Sequence, residues 1–91
     1  MSAVRVSIRG KVQNVWYRAW TTEHAKTFGL RGWVRNRSDG SVEALFIGAE
    51  ETIKSMIEAC RRGPPDARVN GIEEFAAEDD GSAGFTQRET E

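Results

Sequence analysis

Val4, Val6 and Ile8 alternate with Arg5, Ser7 and Arg9. This period of two predicts a strand with one face on a core and the other toward water. Such alternation is poorly suited to a parallel sheet covered on both sides. From Tyr17 the period changes. Tyr17, Thr21, Ala25 and Phe28 recur at helical spacing, and Gly29 falls where a helix C′ residue belongs. The stretch LRGWVRNRSDGSVEALFIG then reads as two strands joined through NRSDGS. Asp39-Gly40 marks the turn, because glycine accepts the positive φ that a tight connection needs. Val42, Ala44 and Phe46 share the core-facing parity of the second arm, while Val34 shares its parity with Gly32 and Asn36.

Ile53, Met56, Ile57 and Cys60 stand at i, i+3, i+4 and i+7 and predict a second helix. Glu50 and Glu51 complement its positive end, and Gly63-Pro64-Pro65 stops it. ARVNGIEEFAA predicts a further strand in which Val69 and Ile72 differ in parity, with Gly71 marking a bulge or bend. EDDGSAG is a polar loop, and FTQR could add a short C-terminal strand.

The predicted order is strand, helix, strand, strand, helix, strand. Its simplest packing is one antiparallel sheet with both helices on one face: an α+β, ferredoxin-like two-layer sandwich (βαββαβ). Right-handed crossovers give the strand order 4-1-3-2, with the first and second strands parallel and the third between them. Their C-terminal ends then meet one edge, roughly 10 Å apart at about 4.8 Å per strand. The loop after Gly10 and the end of the second strand at Asn36 therefore share that edge. Residues 1–91 show no repeat or linker and are read as a single domain.

Bulk composition narrows the chemistry. Hydrophobic content of 38% and charged content of 30% fit a globular chain. A net charge of -1 gives no sign of a general polyanion binder. One cysteine rules out an internal disulfide and, with one histidine, argues against a zinc site. No stretch suits a signal peptide or a membrane span, so a cytoplasmic protein is expected.

RGKVQNVWYRAW, residues 9–20, joins the first strand to the first helix. A chain entering a helix carries unpaired backbone N–H groups at the positive end of the helix dipole. A short loop curling before that helix can aim several of them at one anion, and an arginine at its end suits a phosphate. Arg18 stands in the first helical turn, where its fork can make bidentate contacts. Asn14 sits where the chain could need a left-handed backbone, which asparagine tolerates better than most residues. By itself the loop is only a moderate signal, because a solvated surface arginine is the more frequent reason for one arginine before a helix.

GKVQNVWYR, followed by GLRGWVRNRSDGSVE, closely resembles the acylphosphatase family pattern Gly-x-Val-Gln-Gly-Val-x-Phe/Tyr-Arg with a later Gly-Trp-Val-x-Asn. The likeness includes GPP after the second helix and weakens after about Ala77. The resemblance implies hydrolysis of small acyl phosphates to a carboxylate and inorganic phosphate. It implies a phosphate site formed by Gln13, Asn14, Val15, Trp16, Tyr17 and Arg18, with Arg18 and Asn36 as the catalytic residues. Asn36 would orient the attacking water. The resemblance also implies no metal and no cofactor, a small-molecule substrate with neither nucleic acid nor membrane as partner, and a monomer. Asn14 departs from the family glycine and puts loop geometry and catalytic efficiency in question.

Two other readings stand beside this one. The chain could be a phosphate-binding or accessory module with little turnover. Trp16, Trp20 and Trp33 could instead stack on RNA bases, although neither strand carries an aromatic-rich RNA-recognition signature. His24 reads as a solvent-facing helix residue and Cys60 as core. Glu43, Asp39 and Glu78 to Asp80 read as strand, turn and loop residues rather than paired acid–base carboxylates.

Overall fold

The computed structural model describes residues Met1–Glu91. Strand β1 is Ser2–Lys11, helix α1 Tyr17–Thr27, β2 Arg31–Asn36, β3 Val42–Gly48, α2 Glu50–Arg62, β4 Arg68–Ala76 and β5 Phe85–Gln87. The sheet runs β4-β1-β3-β2-β5, so the expected 4-1-3-2 arrangement is present and extended by one strand. The β1–β3, β1–β4 and β2–β3 pairs are antiparallel, whereas β5 pairs with β2 in parallel.

Register explains the packing. Val4, Val6 and Ile8 oppose Phe46, Ala44 and Val42, which in turn oppose Gly32, Val34 and Asn36. All twelve strand and helix residues Val6, Ile8, Val34, Val42, Ala44, Phe46, Tyr17, Ala25, Ile53, Met56, Ile57 and Cys60 belong to one buried cluster. Both helices therefore lie on the same face. Phe28 departs from the expected helix stripe. It caps α1 and is exposed, while Leu30 is buried in its place. A Schellman bend causes this: Gly29 at φ 72° donates its N–H to Lys26 O, and Leu30 donates to Ala25 O. That bend turns the chain inward two residues later than simple periodicity suggests.

The opposite face is also covered. Trp33, Leu45 and Ile47 form a smaller buried cluster, with Ala3 and Ala77 packed on it. Glu43 is buried and accepts from Arg5, Arg35 and Arg37. Consequently β3 is buried along both sides, a stronger covering than its alternation implied.

Two backbone irregularities set the site edge. Arg9 opposes Gly71 but Gly10 opposes Val69, leaving Asn70 as the extra residue of a bulge. This brings Val69 and Ile72 onto the same core-facing side despite their different parity. Gly10 has φ 127°, and a Cβ there would lie 2.1 Å from Arg68 O, so no side chain fits where β1 leaves the bulge. The β2–β3 connection is a three-residue loop, Ser38-Asp39-Gly40, closed by bonds from Gly40 N to Arg37 O and from Arg37 N to Ser41 O. Gly40 adopts φ 92°, and Asp39 accepts from the Ser41 N–H and hydroxyl. The Ser41 hydroxyl, followed by its N–H, holds the Asp39 carboxyl below the usual carboxylate range.

β4 and β5 occupy opposite edges, so residues 77–84 cross between them. Arg31 binds Asp79 and Ser82 O along this crossing, and the Trp33 indole N–H donates to Asp80. β5 then runs with β2, and the C-terminal ends of β1, β2 and β5 arrive at one edge.

Candidate active site

The loop from Val12 to Trp16 is organised by alternation. Val12 and Val15 are buried, and Tyr17 after them is buried too, while Asn14 and Trp16 face outward. Asn14 and Trp16 have φ 60° and 67°, both left-handed, whereas Gln13 before them and Val15 between them do not. Alternation of left-handed and ordinary residues makes successive N–H groups converge, the geometry of an anion nest. No backbone N–H from Gln13 to Trp16 donates to a protein carbonyl. The positive end of α1 continues this unpaired set, with neither a side-chain cap nor an acidic residue in its first turn.

A cleft of about 470 Å³ opens in front of the loop. Asn14, Trp16, Tyr17 and Arg18 line it from the loop and helix, and Asn36 lines it from β2. Val12, Ala19 and Gln87 complete its walls, and no carboxylate is among the lining residues. Arg18 is half-buried at the second helical position and forms no ion pair, unlike Arg5, Arg9, Arg31, Arg35 and Arg37. Asn36, the last residue of β2, is 9% exposed, and its carboxamide opens into the cleft without a protein partner.

Gln13 has a different position from the others. Its Nε2 donates to Arg37 O at 2.8 Å and Ser41 O at 2.9 Å, so its side chain points to the hairpin rather than the cleft. These carbonyls belong to the neighbours of Asn36 and of its cross-strand partner Val42. Gln13 thus ties the loop to the strand end carrying Asn36. Val15 likewise points into the core and can offer the cleft only its backbone. The structure therefore brings Asn14, Trp16, Tyr17, Arg18 and Asn36 together around the cleft, but the Tyr17 side chain is buried in the core, and Gln13 and Val15 are not among its lining residues.

Tyr17 anchors the helix start. Its hydroxyl donates to Cys60 O at 2.5 Å. Residue 64, which would supply the next N–H along α2 to that carbonyl, is proline and has none. Burial, then the nearby Cys60, pushes the Tyr17 pKa far above its ordinary value. Burial also raises the Cys60 thiol to about 12, partly offset by the neighbouring Tyr17 hydroxyl.

Apart from Trp16, the residues weighed for other chemistry lie outside the cleft. His24 is half-buried and stacks on Trp20 with ring centres 4.2 Å apart. Trp33 is buried between Arg35 and Arg88, whose guanidinium carbons lie 4.9 and 4.7 Å from its ring centre. Trp16 is 81% exposed and is the single tryptophan in the cleft. Val12, Ala19 and Gln87 were missed by the sequence reading. The parity of FTQR places Gln87 on the same side as buried Phe85, but only the parallel placement of β5 carries it to this edge.

Comparison with known proteins gives the family and the fold. Residues 4–87 match the family model Acylphosphatase. An acylphosphatase from Rhodospirillum rubrum is 52% identical over 88 residues, spanning 97% of each chain. One from Rhizorhabdus wittichii is 50% identical over 88 residues, spanning 97% of this chain and 89% of the relative. The crystal structure of acylphosphatase from Bacillus subtilis superposes with a TM-score of 0.93 at 34% identity, covering 97% of this chain and 99% of that one. The chain belongs to the acylphosphatase family.

Proposed function

We propose that this chain hydrolyses small acyl phosphates with Arg18 and the loop N–H groups holding the phosphate and Asn36 holding the water. The carrying observation is the meeting, in one cleft free of carboxylates, of an unpaired arginine, an unpaired carboxamide and a run of free N–H groups. Residues 1–91 act as one domain, as a cytoplasmic monomer, on a small molecule rather than on nucleic acid or membrane.

Water attacks phosphorus in line with the acyl oxygen. The P–O bond to that oxygen breaks, and its electron pair leaves with the carboxylate. Both hydrogens of the water finish on phosphate oxygens, so a substrate dianion yields a carboxylate and dihydrogen phosphate. Arg18 and the N–H groups stabilise charge on the equatorial oxygens, as preorganised donors do most effectively in a partly desolvated site. Asn36 contributes by orientation, since a mixed anhydride has a good leaving group and a carboxamide is not a base.

Phosphate release from benzoyl phosphate, with EDTA present, tests the reading. The wild-type protein is expected to turn over, Arg18→Ala to be almost inactive, and Arg18→Lys to recover little because ammonium lacks the planar fork. Asn36→Ala should lower the rate by about 10²–10³-fold, the effect of losing one positioning donor. Full activity in Asn36→Ala would remove Asn36 from the mechanism. A folded wild-type protein that binds inorganic phosphate but releases none from substrate would instead favour a binding module.

A further inference from the structure

Trp16 is hard to explain as a structural residue. A bulky side chain at φ 67° occupies backbone space that asparagine or glycine fills with less strain. Its indole is 81% exposed and belongs to neither buried cluster. It lines the same cleft as Arg18, and that cleft, about 470 Å³, is far larger than a phosphate group requires. Gln87 is the complementary feature. It is exposed, its side chain bonds to nothing in the protein, and it is the only residue β5 contributes to the cleft. Phe85 buries the strand two residues earlier, and its ring stacks on Phe46 with centres 5.7 Å apart. This anchoring fixes where Gln87 stands.

We propose that Trp16 and Gln87 form the subsite for the acyl half of the substrate, and that the preferred acyl group is planar and aromatic. This rests on the proposed reaction. The Trp16 face covers the acyl plane, a geometry that stabilises aromatic pairs beyond simple burial. The Gln87 carboxamide donates to the acyl carbonyl oxygen, which every acyl phosphate presents. That oxygen becomes half of the departing carboxylate when the P–O bond breaks, so the bond strengthens as negative charge spreads onto it. Arg18 and the nest read the phosphate, and these two residues read what is attached to it.

The test compares the affinity of phenacylphosphonate, which keeps the aromatic ring and carbonyl but replaces the bridging oxygen with carbon, with that of inorganic phosphate. Calorimetry on the folded wild type should give tighter binding to the phosphonate. Trp16→Asn, which tolerates the left-handed backbone, should weaken the phosphonate about tenfold more than phosphate. Trp16→Phe should restore most of that difference. Gln87→Leu should lower the phosphonate preference by about fivefold, the effect of one neutral hydrogen bond. Equal weakening of both ligands by Trp16→Asn, or an unchanged preference in both Trp16→Asn and Gln87→Leu, would overturn the subsite. Because binding is read without turnover, a protein with the expected preferences but no phosphate release would overturn the proposed hydrolysis and leave the subsite standing.

Discussion

Asn14 and Trp16 hold similar backbone angles, at φ 60° and 67°, with different consequences. Asparagine adopts a left-handed conformation readily, so the loop already has the shape a glycine would give it. Asn14→Gly is expected to alter stability by less than about 0.5 kcal/mol, because relief of strain is offset by greater freedom in the unfolded chain. Asn14→Ala should cost about 1 kcal/mol, since alanine lacks the polar side chain that eases this conformation. Denaturant unfolding of both variants measures these differences. Phosphate release by Asn14→Gly should stay near wild type; a gain of many-fold would show that the Asn14 carboxamide obstructs the nest. The departure from the family glycine thus places an asparagine side chain on a left-handed backbone that glycine also adopts readily.

Helix α1 begins at a residue pinned by another helix, and this makes its position relative to β2 well defined. Tyr17→Phe removes the donor from Cys60 O, and Pro64 offers no substitute. Leaving that buried acceptor unpaired should destabilise the protein by about 1–3 kcal/mol in denaturant unfolding. Gln13 makes the second connection, from the loop to both sides of the hairpin base. Gln13→Leu should therefore lower kcat for benzoyl phosphate more than it raises KM, because Asn36 loses its register against the bound phosphate. An effect confined to KM would show that Gln13 serves only the phosphate cradle. Much of this was legible from periodicity: Val4, Val6 and Ile8, the stripe of α2, and the Asp39-Gly40 turn all act locally. The clamp by Gln13 was not, since it spans 24 residues and looks the same in sequence as any loop glutamine. Phe28 and Leu30 exchanged roles because the Schellman bend, rather than the helical period, decides which of them turns inward. For the site, Arg18 and Asn36 were legible through their two motifs, while Gln87 depended on the parallel direction of β5.

At the scale of the whole molecule, the two interlocked groups Tyr17 and Cys60 link folding to alkaline pH. Burial raises the Cys60 pKa from 9.0 to about 12 and that of Tyr17 from 10.0 to a higher value still. An unfolded chain releases these protons first, so it binds fewer of them than the native state in that range. Stability is accordingly complete below about pH 9 and falls as pH rises toward 12. Thermal unfolding against pH should show this decline, and Cys60→Ala should be less stable at neutral pH yet decline less steeply. An identical slope in that variant would remove the thiol as a cause. The strand order carries a different consequence, one of time. β1 must find β4 across more than fifty residues, and β5 must find β2 from a similar distance, before either edge of the sheet exists. Contacts so remote in sequence are slow to close, which places folding in roughly the millisecond-to-second range rather than the microsecond range of helical bundles. A refolding experiment that follows native tryptophan fluorescence and recovered turnover together should then find the enzyme awakening no earlier than its last strand arrives.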